Sequence, residues 1–329
     1  MPRGYSILVG VPYVDVGAPF YSRNFPGFDG RAGCEGVARD IRRMEALAHY
    51  FGYQPVLGES LVGPKATVAN VMAAIESLAK PEIGLDHGDH VLLYLSCHGK
   101  SLWNSRRDSN PSASLGEALN AFLLHDGPLF NVTLFDKLGG LQIKSQRMRL
   151  RICTVIDACH AGSGKALPPG LIRELGRDLQ EILKDGAVYQ SAVAAQSKGT
   201  AEMMHKMAGK ADMFSDLLLD PNLIQAALGV AVVVLRMILA KLSGLSLQIT
   251  HLGAAGDELR AEGGPAGSLF TRLLDLAVRM AERPYTYREM HDLLAHELPL
   301  NRQPVLERLG QFASGTHFAD RTTVFSIEE

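Results

Sequence analysis

The sequence lacks three features that would assign it to a common class of protein. It has no long run of Lys or Arg, and its formal charge is −2, so no basic tract is available to follow a phosphate backbone. None of its four cysteines forms a Cys-x-x-Cys pair or an extracellular-looking framework. It also has no internal repeat or low-complexity tract. Nucleic acid is therefore not an expected partner, and a disulfide-stabilised secreted fold is not expected.

A secretion signal is also not expected at the N-terminus. The apolar stretch from Ile7 to Val11 ends at Pro12 and is too short for a signal-peptide core. The chain has 329 residues, of which 47% are hydrophobic, and this is enough to bury a core without disulfides. We expect a single domain over residues 1–329, located in the reducing cytoplasm.

Short apolar runs alternate with helical patterns along the chain. The runs are typical of buried strands, and they are Ile7 to Val11, Val91 to Leu95, Arg151 to Ile156 and Leu247 to Leu252. Apolar residues at helical spacing predict helices that include Val37 to Ala48, Val68 to Ala79, Leu171 to Ile182 and Leu269 to Met280. Thr286 to Glu289 predicts a capping box that opens a last helix. The alternation predicts an α/β fold with a mainly parallel sheet covered on both faces.

The segment 203–245 does not fit this alternation. Its stretch from Leu223 to Leu242 is nearly all apolar, but Arg236 lies within it. A transmembrane span needs about 20 predominantly apolar residues with few charges. We predict a helical insertion within the domain, buried or packed on a protein partner, with membrane association of helix 222–242 as the alternative.

Two reactive side chains follow the ends of predicted strands. The run from Val91 to Leu95 leads into Ser96-Cys97-His98-Gly99, and the run from Arg151 to Ile156 leads into Asp157-Ala158-Cys159. The carboxyl ends of parallel strands are where such sheets bind ligands. A cysteine needs a neighbouring base or a positive environment to become a thiolate, and His98 would supply one for Cys159. The backbone amides of Gly99 and Cys159 would form an oxyanion hole.

Taken singly, a cysteine or histidine at the end of a strand is more often a packing residue, but together the two motifs are more specific. They resemble the caspase-like superfamily of cysteine peptidases, and the metacaspases and paracaspases more than the animal caspases. The order of His98 before Cys159 is that of caspases, although Asp157 stands where caspases have Gln. Further similar segments are Asp40 to Met44, Phe51 to Tyr53, Ala66 to Asn70, Gly88-Asp89, Ala254 to Glu262, Ser268 to Thr271 and Gln303-Pro304.

The resemblance covers most of residues 5–200 and 247–310 and leaves the insertion unmatched. It implies a caspase-like αβα sandwich and a cysteine endopeptidase that acts through an acyl-enzyme. It also implies that Asp40, Ser96 and Asp157 line the pocket for the residue before the cut. An anionic pocket favours Arg or Lys there and disfavours Asp or Glu.

Alternatives to this pocket remain open at the level of sequence. Asp157 could orient backbone amides, and Asp40 could cap its helix, where a carboxylate is stabilising. Arg31 loosely resembles the arginine that caspases use for acidic substrates, which would favour cleavage after Asp instead. The spacing from Arg31 to Asp40 is longer than in caspases, so basic specificity is the favoured prediction.

The resemblance also bears on activation. No organic cofactor is required for the predicted reaction. Metacaspases are often activated by calcium, and Asp108 or Asp126 could contribute, but no segment has the spacing of an EF-hand loop. The sequence leaves calcium undecided. Caspase-like enzymes are commonly cut on the C-terminal side of the nucleophile, and exposed basic residues there predict self-cleavage. The candidate sites are Lys198, Lys206 and Lys210.

Two other functions fit the same residues. Cys97, His98, Cys159 and His160 are ligand types that zinc accepts. Adjacent residues on a strand point to opposite faces, however, so Cys97 and His98 would not readily converge on one ion, and we predict no metal. The other alternative is a catalytically silent scaffold that binds partners. Because both His98 and Cys159 are kept, an active enzyme with protein or peptide substrates is the favoured interpretation.

Overall fold

A computed structural model of the chain describes residues 2–24, 27–30, 34–86, 88–101, 120–144, 150–159, 249–255, 264–309 and 323–327. The predicted insertion at 203–245, the helix predicted from Leu171 to Ile182, and the lysines Lys198, Lys206 and Lys210 lie outside these residues. So do Arg31, Asp108 and His160. Among the described residues, no helix is long and apolar enough to cross a membrane.

The described residues form ten strands. They are β1 (Gly4–Gly10), β2 (Tyr53–Pro55), β3 (Leu61–Val62), β4 (His90–Ser96), β5 (His98–Ser101), β6 (Asn120–Leu123), β7 (Pro128–Phe130), β8 (Arg151–Asp157), β9 (Ile249–Gly253) and β10 (Val305–Leu309). Seven of them form the central sheet in the order β10-β9-β8-β4-β1-β2, and β3 also pairs with β1. Its pairs are parallel except for that of β10 with β9. The prediction of a mainly parallel sheet is confirmed.

Six α-helices accompany these strands in the described residues. They are α1 (Pro19–Asn24), α2 (Val37–Tyr50), α3 (Val68–Ser77), α4 (Asn131–Lys144), α5 (Leu269–Met280) and α6 (Tyr287–Glu297). The predicted capping box is confirmed at α6: the Thr286 side chain accepts a hydrogen bond from the Glu289 amide, and the Glu289 side chain accepts one from the Thr286 amide. Such a box satisfies amides at the start of the helix that have no partner within it.

The helices lie on both faces of the central sheet. Alternate residues of β4 show this, because successive strand residues point to opposite faces. Leu92 and Tyr94 belong to one apolar cluster with residues of α2, α5 and α6. Leu93 and Leu95 belong to a second cluster with residues of α3 and α4. The arrangement fits the predicted αβα sandwich.

Strands β5, β6 and β7 form a small antiparallel sheet that the sequence did not indicate. It begins immediately after β4, because His98 pairs with Leu123 and Gly99 with Phe122. Phe122, Leu123 and Leu129 from this sheet are buried in the apolar cluster beside α3 and α4. The small sheet therefore fixes the backbone that follows the end of β4.

Candidate active site

The predicted nucleophile and its proton-transfer partner lie beyond neighbouring strands of the central sheet. Strands β4 and β8 pair in parallel over their full length, and their last residues, Ser96 and Asp157, are register partners. His98 and Cys159 each follow two positions later. The Cys97 amide donates a hydrogen bond to the Asp157 carbonyl at 3.3 Å, which extends the pairing past the strands. The structure thus brings the two predicted residues to the same edge of the sheet.

Gly99 lies directly against the backbone of Cys159. A Cβ atom at position 99 would stand 1.6 Å from the Cys159 carbonyl oxygen and 2.6 Å from its carbonyl carbon. Gly99 belongs to β5 and does not have a positive φ. Glycine is required here because two backbones meet without room for a side chain. A role for its amide in binding an oxyanion remains a prediction.

His98 is held in a partly apolar environment. The Phe28 ring packs against its imidazole in an edge-on arrangement, with 5.4 Å between ring centroids. Burial lowers the pKa of His98, while the negative charges of Asp29 and Glu35 act in the opposite direction. Its Nε2 atom is buried and has no hydrogen-bond partner among the described residues. These conditions favour a neutral imidazole, which can accept a proton.

Cys159 differs from the other three cysteines in its exposure. Cys34, Cys97 and Cys153 are buried, whereas Cys159 is half-buried. Burial raises the pKa of Cys34 and of Cys153 to about 12 and that of Cys97 well above its ordinary value. Thiols with such raised pKa values stay protonated and unreactive near neutral pH. Accessibility therefore distinguishes Cys159 as the candidate nucleophile.

The zinc alternative requires its ligands to converge, and among the described residues no group of three His, Cys, Asp or Glu side chains could hold a metal. Cys97 is buried in the apolar cluster that includes residues of α3 and α4. One further ligand of that alternative, His160, lies outside the described residues.

Asp126, considered above for calcium, instead accepts a hydrogen bond from the Val68 amide at 2.9 Å, at the start of α3.

The three residues predicted to bind substrate lie on one face of the sheet. Ser96 and Asp157 are cross-strand partners, so their side chains share a face. Their face is the one covered by α2, which carries Asp40, and by α5. All three side chains are buried, and burial, with a smaller effect from the charge of Asp157, raises the pKa of Asp40. We refer to Asp40, Ser96 and Asp157 as the acidic cluster.

Asp157 is held by a hydroxyl chain that sequence reasoning did not identify. The Thr271 hydroxyl donates to Asp157 Oδ2 at 2.5 Å and lies 2.8 Å from the Tyr94 hydroxyl. Burial raises the pKa of Asp157 to about 6, although the hydrogen bond from Thr271 opposes the shift. The segment Ser268 to Thr271 resembles metacaspases, but the resemblance alone does not indicate that Thr271 contacts Asp157.

Asp40 has a partner on each carboxylate oxygen. The Ser268 amide donates to Oδ2 at 2.8 Å, and Arg43 Nη1 donates to Oδ1 at 2.9 Å. Burial raises the pKa of Asp40 to about 7, the Ser268 hydrogen bond lowers it, and Asp157 raises it further. Asp40 lies in the first turn of α2, as the helix-capping alternative expects, but its hydrogen bonds to the Ser268 amide and to Arg43 do not cap the start of the helix.

Two glycines allow the loop before α5 to approach α2 this closely. A Cβ atom at Gly267, where φ is 98°, would stand 2.2 Å from Asp40 Oδ1. A Cβ atom at Gly36 would stand 2.0 Å from the Gly264 carbonyl oxygen. Neither distance is compatible with a side chain, so both positions are restricted to glycine by this junction.

The fold is similar to that of a solved protein from Geobacter sulfurreducens, GSU0716. The two structures have a TM-score of 0.57 with 18% sequence identity, and the match covers 100% of each chain. At this identity, the similarity concerns the fold alone. No family model matches the chain, and no curated protein matches it.

Proposed function

We propose that this chain is a caspase-like cysteine endopeptidase that hydrolyses peptide bonds after Arg or Lys. The observation that carries the proposal is the register of β4 with β8. Ser96 faces Asp157, so His98 and Cys159 follow at equal distances along the chain from neighbouring strand ends. The resemblance of both motifs to metacaspases supports the same roles. Together they support Cys159 as the nucleophile and His98 as its acid–base partner.

The reaction divides into two steps. The Cys159 thiolate attacks the scissile carbonyl carbon, and the electron pair of the C=O bond moves to oxygen. His98, which has taken the thiol proton, gives it to the leaving amine as the C–N bond breaks. Water then attacks the thioester with His98 as base, which releases the acid and restores the Cys159 thiol.

Backbone amides would stabilise the tetrahedral intermediate. The contact between Gly99 and the Cys159 backbone holds the two segments at a fixed separation. Amides that are fixed before the reaction stabilise developing negative charge without reorganisation. The amides of Gly99 and Cys159 are the proposed donors.

The acidic cluster supports basic specificity. Asp40 and Asp157 are buried on one face, and burial raises the pKa of both. A bound Arg or Lys side chain would stabilise their ionised forms through charge-assisted hydrogen bonds. A substrate Asp would instead add a third carboxylate to a site with little water. The cluster therefore favours cations and disfavours anions.

A positional-scanning peptide library tests this proposal on the full-length protein. We expect turnover for Arg or Lys before the cut, none for Asp, and none for a folded Cys159→Ala variant. Preference for Asp would overturn the specificity. A folded wild type that turns over no peptide would favour the scaffold interpretation instead.

A further inference from the structure

Arg43 is fixed at the acidic cluster by two different parts of the chain. Its Nη1 donates to Asp40 Oδ1 at 2.9 Å, and the two residues are three positions apart on α2. Its Nη2 donates to the Ala266 carbonyl at 3.0 Å, across 223 positions of sequence. The guanidinium therefore joins α2 to the loop that leads into α5.

The loop is shaped to accommodate this guanidinium. A Cβ atom at Gly267 would stand 2.4 Å from Arg43 Nη1, so the missing side chain leaves the space that the guanidinium occupies. The Arg43 side chain is 26% exposed, whereas that of Asp40 is 2% exposed. Arg43 thus lies on the solvent side of the carboxylate that it contacts.

A salt bridge at a protein surface usually contributes little, but this one reaches a buried carboxylate. Arg43 donates to one lone pair of Asp40 Oδ1, and the Ser268 amide donates to one lone pair of Oδ2. A carboxylate has about four lone-pair positions, so further donors can bind, but a second guanidinium would approach beside a like charge. Arg43 is therefore suited to weaken the attraction of the cluster for another cation.

Building on the proposed basic specificity, we propose that Arg43 is a specificity-determining residue: a resident cation that lowers the affinity of the acidic cluster for the basic side chain of a substrate. The ligand class is a guanidinium or alkylammonium group. Agmatine is a suitable probe, because it presents a guanidinium on an alkyl chain without a peptide.

Calorimetric titration of agmatine into the Cys159→Ala protein tests the inference. Arg43→Gln retains a hydrogen-bond donor and removes the charge. We expect it to tighten agmatine binding about tenfold, because one charge close to a partly buried site changes the affinity by about that factor or more. Arg43→Lys loses the two-pronged donor geometry but retains the charge, and because the charge is what repels a second cation, this variant should bind agmatine within about twofold of the parent. Arg42→Gln makes the same change of net charge at an exposed position of α2 and should have no effect. Unchanged or weaker binding by a folded Arg43→Gln protein would overturn the inference.

A second measurement needs no substitution at Arg43. Agmatine at saturation should shift the 15N resonance of the Arg43 guanidinium in the Cys159→Ala protein, and an unmoved resonance would contradict the inference even if Arg43→Gln did not fold. If the wild type cleaves after Arg but Arg43→Gln leaves agmatine binding unchanged, the inference fails and the proposed function stands. If Arg43→Gln tightens binding but the wild type cleaves nothing, the inference stands and the peptidase proposal fails. Absence of both binding and cleavage would overturn both.

Discussion

Gly99 and Cys159 touch through their backbones, with the Cys159 carbonyl oxygen 1.6 Å from the place where a Cβ atom of residue 99 would stand. The segments that follow β4 and β8 are therefore positioned by each other. The relative placement of His98 and Cys159 depends on this contact. A side chain at position 99 should disturb it directly.

We expect Gly99→Ala to destabilise the protein by about 1–3 kcal/mol, the usual cost of overpacking. The displacement of the Cys159 backbone should lower turnover by about 100-fold, since an error near 1 Å at a reacting group has an effect of that size. Gly127→Ala is the matched control, because nothing lies within 4 Å of its Cβ position. Thermal unfolding and peptide turnover measure the two effects. Wild-type behaviour of Gly99→Ala would show that the close contact does not exist.

Replacement of either proposed catalytic side chain should abolish cleavage and leave the fold intact. We expect His98→Ala to lower turnover by about 10²–10⁴-fold, the range for loss of a general acid–base, and Cys159→Ala to remove it. Cys159 lies past the end of β8, and His98 is the first residue of the small strand β5, so neither belongs to the apolar runs of the central sheet and circular dichroism should be unchanged.

The control is Cys97→Ala, because the Cys97 thiol is buried and its pKa is raised well above the ordinary value. This variant should retain most of the turnover. If it were as inactive as Cys159→Ala, the assignment of a single nucleophilic cysteine would be wrong.

Asp157→Asn should stabilise the folded protein at high pH. Burial raises the pKa of Asp157 from 3.8 to about 6, so the folded state carries the full cost of a buried charge above about pH 6. As the pH falls below 3.8, the carboxyl becomes protonated in both states and the cost disappears. We expect a gain of up to about 3 kcal/mol at pH 8 and almost none at pH 3.5, measured by urea unfolding.

The exposed Asp292 provides the control for this experiment, because Asp292→Asn makes the same chemical change outside the cluster. Equal destabilisation by Asp157→Asn at both pH values would mean that Asp157 serves only as a structural acceptor for Thr271. In the proposed function, Asp157→Asn also weakens turnover of Arg substrates more than it slows alkylation of Cys159.

Self-cleavage is predicted to follow Lys198, Lys206 or Lys210, which lie outside the described residues. Mass spectrometry of purified wild type should find fragments that end at these lysines, and the Cys159→Ala protein should remain intact. The same fragments in both proteins would indicate a contaminating protease. An active wild type that stays uncut would show that processing is unnecessary.

The main strands and helices could be predicted because their signals are local. The run from Val91 to Leu95 lies within β4, and the run from Arg151 to Ile156 lies within β8. Strand β1 starts at Gly4, earlier than the predicted Ile7. The residues before Ile7 pair with β2 and β4 although they do not form an apolar run. Strands of three or four residues, as in β6 and β7, are too short for a periodic pattern to appear.

The candidate site was only partly predictable for a related reason. His98, Cys159, Asp40 and Asp157 stand in motifs, and their residue types indicate their chemistry. Arg43 and Thr271 acquire their importance through partners more than 100 positions away in the chain, Ala266 and Asp157 respectively. The spacing of residues along the chain does not indicate such contacts, which form only because α2 and α5 pack beside the same strands.

Covalent labelling of the wild type with a peptidyl acyloxymethyl ketone tests the central claim most directly. An inhibitor ending in Arg should modify one cysteine, and peptide mapping should identify it as Cys159. His98→Ala should slow the labelling, and an otherwise identical inhibitor ending in Asp should not react. Modification of Cys34, Cys97 or Cys153 instead, or faster reaction with the Asp inhibitor, would contradict the account.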